Sequence, residues 1–213
     1  MKNLLLTTAL FSTLVMGLAI QPALAEKTIE QLPDMPAGHY QLDASHAAVL
    51  FKVNHLGFSI YVGRFNDMSG EIMLNSTNPN ESKGAFSVKT ASIDTGNDVL
   101  EKKLMAEDAL NAEKFPEITF ETTELEMQTP TSGLMTGNLT MLGETNPVTF
   151  DVEFVGGGVH PFSKNDSMGF RAHTTIDRTD WGFNTWAPAV GESVDVEVHG
   201  EFNRLTSDSV HAK

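Results

Sequence analysis

Between Val49 and His55 the chain alternates, residue by residue, between two faces. Val49, Phe51, Val53 and His55 fall on one side, and Leu50, Lys52 and Asn54 on the other. A period of two is what a strand with one face on an apolar interior requires. The pattern recurs along the chain. It predicts eight strands, at about 39–54 (bent near Ser45), 65–74, 82–92, 117–127, 133–141, 147–155, 167–177 and 193–203, with Gly70 as a bulge in the second. Most charged residues of these strands, including Lys52, Lys89, Glu121, Asp151, Glu153, Asp195 and Glu197, take the alternate positions. Short links and one polar face per strand point to an all-β chain, either a closed antiparallel barrel or a sandwich. Eight strands are the number at which a barrel interior can hold one small ligand.

Four stretches break the alternation. Leu56 to Phe65 is apolar and glycine-bracketed, which predicts a short bent or helical connector. Asp98 to Ala112 has apolar residues at three- and four-residue spacings, with Asn97 or Asp98 as N-cap and Phe115-Pro116 as the stop. This predicts one or two amphipathic helical turns, a short insert after strand three placed to cap one mouth. Gly156-Gly157-Gly158 opens a flexible loop through Asn165, and Arg178 to Glu192 is a non-strand insert holding Trp181, Phe183 and Trp186.

The N-terminus reads as an export signal. Lys2, the interrupted apolar run Leu4 to Ile20 and Ala23-Leu24-Ala25 predict a signal peptide over residues 1–25, cut between Ala25 and Glu26. A leader with two prolines follows at 26–38, lying over the surface or loose. The barrel domain takes 39–203, and 204–213 is a polar tail. The formal charge is −14, and losing Lys2 with the signal makes it −15. Such a chain repels nucleic acid and anionic membrane surfaces. With no cysteine there are no disulfides, thiolate metal sites or Cys nucleophile.

The inward set is Phe51, Val53, Phe86, Val88, Phe120, Leu139, Phe150, Val152, Phe170, Ile176, Val194 and Val196. An interior of this kind is greasy and without charge. It is either a filled core or a tube suited to an elongated hydrocarbon. A transmembrane barrel needs apolar residues outward, so stable membrane insertion is not expected. No Gly-x-Ser-x-Gly elbow, His-Glu-x-x-His or phosphate-cradling loop occurs. No two of the seven histidines sit at i,i+2 or i,i+4. No catalytic or metal-ligating set is assigned.

Five blocks in order resemble the YceI family of bacterial periplasmic, polyisoprenoid-binding, lipocalin-like proteins. They are Tyr40-x-Leu42-Asp43-x-x-His46-x-x-Val49-x-Phe51-x-Val53-x-His55-Leu56-Gly57 with Gly63-Arg64-Phe65; Ser92-Ile93-Asp94-Thr95-Gly96-Asn97; Phe115-Pro116-x-Ile118-Thr119-Phe120; Gly137-Asn138-Leu139-Thr140-Met141-x-Gly143 with Pro147-Val148; and Asp177-Arg178-x-Asp180-Trp181-Gly182. The resemblance spans about Tyr40 to Phe202. It implies an eight-stranded antiparallel lipocalin-like barrel, periplasmic, enclosing a long isoprenoid lipid, with homodimers in some members and no established catalysis. No cofactor is implied beyond that lipid. The tail would lie on the inward set, and the polar end near a rim where His46, His55 and Arg178 are candidates by location. The chain departs from the family in the insert, where Asp108-Ala109-Leu110 stands in place of two adjacent phenylalanines; ligand length or head group would differ there. Two other classes remain beside a carrier: a barrel holding haem or another cofactor in stress or redox physiology, and an enzyme acting on an isoprenoid.

Overall fold

The alternation builds strands, and the strands close on themselves. The structure, a computed structural model, describes residues 30–205. Ten strands form one sheet: β1 (Gly38–His55), β2 (Ser59–Phe65), β3 (Met68–Leu74), β4 (Lys83–Lys89), β5 (Ile93–Asp94), β6 (Glu117–Thr129), β7 (Ser132–Met141), β8 (Glu144–Val159), β9 (Asp166–Asp177) and β10 (Val190–Arg204). β1 is the seam. One edge pairs β10 from Tyr40↔Arg204 to His55↔Val190. The other pairs β2 along Val49–His55 and β3 along Gly38–Gln41. β2 and β3 thus act as one strand broken at Asn66-Asp67, and β5 is a two-residue annex to β2. The result is a closed eight-stranded antiparallel barrel. The signal peptide and its Ala25–Glu26 cut, the leader before residue 30 and the tail after 205 lie outside the described residues.

The structure corrects several local expectations. Leu56 to Phe65 is not a helical connector. Leu56 and Gly57 turn the chain at φ 56° and 74°, the geometry of a primed hairpin turn that matches strand twist, and the rest is β2. A leucine at positive φ carries no residue-type signal for such a turn. Gly70 is not a bulge, since Gly70↔Phe86 sits in an unbroken register. The irregularity lies in β1, where Ala44, Ser45 and His46 bulge out between the pairs Asp43↔Glu201 and Ala47↔Gly200; this is the bend expected near Ser45.

Gly156-Gly157-Gly158 is not a loop but part of β8, paired with Gly169, Met168 and Ser167 of β9. The reason is room. A Cβ on Gly157 would stand 2.5 Å from Met35 Sδ. The bare strand lets the leader lie on it. Over its described part that leader is core rather than surface covering: Leu32 and Met35 are buried, and Leu32 N–H donates to Pro130 O at 3.1 Å. The Tyr40 hydroxyl donates to Pro36 O at 2.6 Å, and burial, followed by the nearby Asp166 charge, pushes that phenol up to about 12.

The helical insert is as short as the sequence predicts, about two turns. α1 covers Asp98–Leu104 only. Asn97 caps it as expected, accepting from Val99 N–H at 3.1 Å and Leu100 N–H at 3.2 Å. Glu101 reaches back to accept from Asn97 N–H at 3.2 Å and Thr95 N–H at 2.8 Å, a reciprocal cap. Beyond Leu104 the chain folds back through turns: Leu110 N–H donates to Leu104 O at 2.9 Å, and Asn111 sits at φ 44°.

Candidate functional site

Period-two alternation in a closed sheet sends one side-chain set to the axis. Two chambers lie there. The upper, about 210 Å³, sits under α1 and the 178–190 segment; the lower, about 150 Å³, sits above Leu32. All twelve residues of the inward set line one chamber or the other. Phe51, Val53, Val88, Leu139, Ile176, Val194 and Val196 line the upper, and Val152 and Phe170 the lower. Phe86, Phe120 and Phe150 belong to both, together with Met68 and Val198.

Only Phe120 and Phe150 of the twelve are fully buried; the other ten keep partial exposure inside a closed barrel. Close-packed interiors bury such side chains and leave few voids larger than water. The partial exposure is to the chambers. Between them the rings form a waist, with Phe120 and Phe150 edge to face at 5.1 Å between centroids and Phe86 6.4 Å from Phe120.

The alternation missed the end closures, because their residues come from segments without period two. Leu104 and Leu110 from the insert, and Phe183, Thr185 and Trp186 after β9, roof the upper chamber. Trp186 also reaches solvent, at 41% exposure, so the upper rim lies there. Leu32 of the leader bounds the lower chamber. Polar groups on the walls are few. Thr122 lines the lower chamber and Ser87 the upper, each with a buried hydroxyl that has no hydrogen-bond partner among the described residues.

The three rim candidates separate. Arg178 lines the upper chamber and is 4% exposed. Its Nε donates to Gly191 O at 2.9 Å, its Nη2 to Val190 O at 3.0 Å and its Nη1 to Phe183 O, whose ring it also faces at 4.8 Å. It staples the roof. Burial lowers its pKa against the opposing pull of Glu192 and Asp177. His55 stays near the upper end of β1 but lines neither chamber; its ring lies 6.3 Å from that of Tyr61. His46 is not at a rim. It lies in the bulge on the outer wall, where Nδ1 is 3.0 Å from Asp43 Oδ2.

That bulge has a pH signature. The hydrogen bond from Ser45, and then that from His46, holds the Asp43 carboxyl down at about 2. Hydrogen bonding to Asp43, then the Glu201 charge, raises His46 above its ordinary 6.5. Asp43 therefore supports the fold above its unfolded 3.8, and that support is lost as pH falls through about 2. His46 supports it below 6.5, and that support is lost as pH rises through its raised folded value. Proton NMR is expected to show His46 titrating above 6.5, and Asp43→Asn to lower the midpoint; an unmoved midpoint would remove Asp43 as the cause.

Among the described residues no group of three or more His, Asp or Glu is placed to hold a metal ion. Comparison with known proteins supplies the remaining context. The family model for a YceI-like domain matches residues 40–202. A UPF0312 protein of Shewanella sp. strain ANA-3 is 34% identical over 164 residues, covering 76% of this chain and 85% of that protein. One from Vibrio campbellii is 35% identical over 169 residues, covering 78% and 87%. Among solved structures, a Campylobacter jejuni YceI protein superposes with a TM-score of 0.65 at 26% identity, covering 72% of this chain and 90% of that one. A polyisoprenoid-binding domain from Saccharophagus degradans, implicated in plant cell wall breakdown, shares the fold with a TM-score of 0.58 at 12% identity, covering 80% and 100%.

Proposed function

This chain belongs to the YceI family, and from that premise we propose that it is an exported, periplasmic carrier holding one long isoprenoid-type lipid, polyprenyl or quinone-like, along the barrel axis. The observation that carries the reading is the pair of chambers walled by the apolar inward set, with ten of its twelve side chains only part-covered. Their reach argues for a long chain. Val190 of β10 lines the upper chamber and Phe202 the lower. At roughly 3.3 Å per residue and a strand tilt of about 40°, that stretch projects to roughly 30 Å along the axis. This is about the thickness of a whole bilayer hydrocarbon core, twice what one leaflet's acyl chain spans. At about 0.8 kcal/mol per buried CH₂ the gross driving force is large, and ordering the chain offsets part of it. The polyisoprenoid-binding domain that shares the barrel supports the ligand class.

No charged side chain of the walls is placed to act on a hydrocarbon, which favours binding over turnover. Trp186, which lines the upper chamber and also reaches solvent, supports reading the upper end as the entrance. Organic extraction of the protein purified from its native periplasm, followed by mass spectrometry, is expected to release a polyprenyl or prenyl-quinone. Protein that arrives carrying no apolar molecule would count against the carrier.

Self-association is read at β2. Among the described residues its outer edge pairs only at Arg64 and Phe65, leaving Ser59–Gly63 without a strand neighbour there, and Phe58, Ile60 and Val62 stand exposed beside it. Exposed apolar edges are where strands of two chains meet. Ile60→Lys is expected to turn a dimer into a monomer by light scattering; a wild-type monomer at high concentration would remove the interface.

A further inference from the structure

We propose that four glycines on the inner wall, Gly63, Gly70, Gly84 and Gly137, set the bore of the lumen: each gives a phenylalanine ring a bare patch of sheet to lie on, which keeps that ring out of the path of a long chain. The inference rests on the lipid reading above and specifies which residues fix ligand length.

The geometry repeats at three rings. Gly63 faces Phe51 across β1 and β2, and a Cβ there would meet the ring tip at 2.2 Å. Gly70 faces Phe86 across β3 and β4, with a Cβ contact of 2.5 Å to the ring; Gly84, two residues back on β4, would touch the ring's other edge at 2.7 Å. Phe86 therefore lies in a notch between two glycines. A Cβ on Gly137 of β7 would come within 2.4 Å of Phe120 Cζ and, equally, of the Glu121 carbonyl. Glycine inside a strand forfeits packing and marks a close approach, and a ring laid across it restores cover to the bare backbone. Here the approach is by the rings that wall the chambers and form the waist. With the seat filled, each ring can only swing toward the axis, because the wall side is continuous sheet.

Gly63 and Gly84 are the sites to test. The contacts under 3 Å of a Cβ at either are with ring atoms alone, whereas Gly137 is also hemmed by backbone. The probes are farnesol, short enough for the upper chamber, and solanesol, long enough to need both. In Gly84→Ala the displaced Phe86 closes the waist. Farnesol affinity is expected to stay near that of the wild type while solanesol affinity falls by roughly tenfold or more, the scale of overpacking a fixed interior. Gly84→Ala with Phe86→Leu, whose shorter side chain clears the waist, is expected to regain solanesol. A purely structural role for Gly84 would weaken both probes together. Gly63→Ala, which swings Phe51 into the upper chamber, is expected to weaken both, with recovery on adding Phe51→Leu; it also serves should Gly84→Ala not fold.

Unchanged solanesol binding in a folded Gly84→Ala, or no recovery in the double variant, overturns the proposal. Crystal structures of both alanine variants read the rings directly. A ring that remains on the wall overturns the seating even if the wild type binds neither prenol, an outcome that would defeat the lipid reading itself. A ring found on the axis sustains the seating.

Discussion

Arg178→Met is expected to lose roughly 3–5 kcal/mol of stability, read by urea denaturation. The guanidinium is buried, and among the described residues its partners are carbonyls: Gly191, Val190 and Phe183 accept from it, with no carboxylate in hydrogen-bond contact. Hydrogen bonds to a charged group contribute about 1.5–3 kcal/mol each, and carbonyls left unpaired inside carry a desolvation penalty. Three such bonds would exceed the stated loss, but the roof borders the upper rim, where water can reach part of the vacated site. Lysine is a poor substitute. One ammonium on a flexible stem cannot hold three acceptors spread over two segments as a planar fork does. Arg178→Lys is therefore expected to recover less than half of the loss. The effect extends to the ligand, since Arg178 ties the Phe183 carbonyl, in the segment that carries Phe183, Thr185 and Trp186 over the upper chamber, to the start of β10 at Val190 and Gly191. Trp186 fluorescence should shift as the roof loosens, and co-purified lipid should fall. A variant within about 1 kcal/mol of the wild type would mean that the roof is held by other contacts.

The faces of the strands were legible because period two does not depend on register. A side chain such as Val196 points to the axis whichever partner β10 takes, so the inward set could be read before any pairing was known. What stayed hidden was whatever depends on a distant neighbour. Gly70 looks like a bulge and Gly157 like a linker until Phe86 and Met35 are seen lying over them. Leu32 and Met35 each precede a proline in a stretch of weak periodicity, yet both are buried, and Leu32 bounds the lower chamber, its N–H held by the Pro130 carbonyl of the β6–β7 hairpin. His46 shares a sequence block with Val49 and Phe51 but lies three residues from Val49, on the opposite face; what the alternation does not show is the bulge that holds it over Asp43 on the outer wall. The insert's spacing announced one or two helical turns, which α1 supplies, but not how the rest of it is held. Its second half is held by a backward bond from Leu110 to Leu104, which places both leucines under the roof.

Phe120→Ala is expected to tell a ligand chamber from a defect of packing. Removing a phenylalanine from a filled core costs about 3–5 kcal/mol, because the whole ring loses its neighbours. Phe120 is 6% exposed and packs on Phe150 and Phe86, but it also walls both chambers, so part of its surface has no partner to lose. The empty protein should therefore lose only about 2–3 kcal/mol. With the waist widened, a long prenol can also occupy the space the ring leaves. A ligand that binds the folded state alone stabilises it in proportion to the logarithm of its concentration over Kd. The deficit of Phe120→Ala should then narrow in saturating solanesol and remain in farnesol, which cannot span both chambers. Urea denaturation with each prenol makes the measurement. A full deficit indifferent to both would identify the chambers as voids that the barrel tolerates, and with them the carrier reading would lose its site.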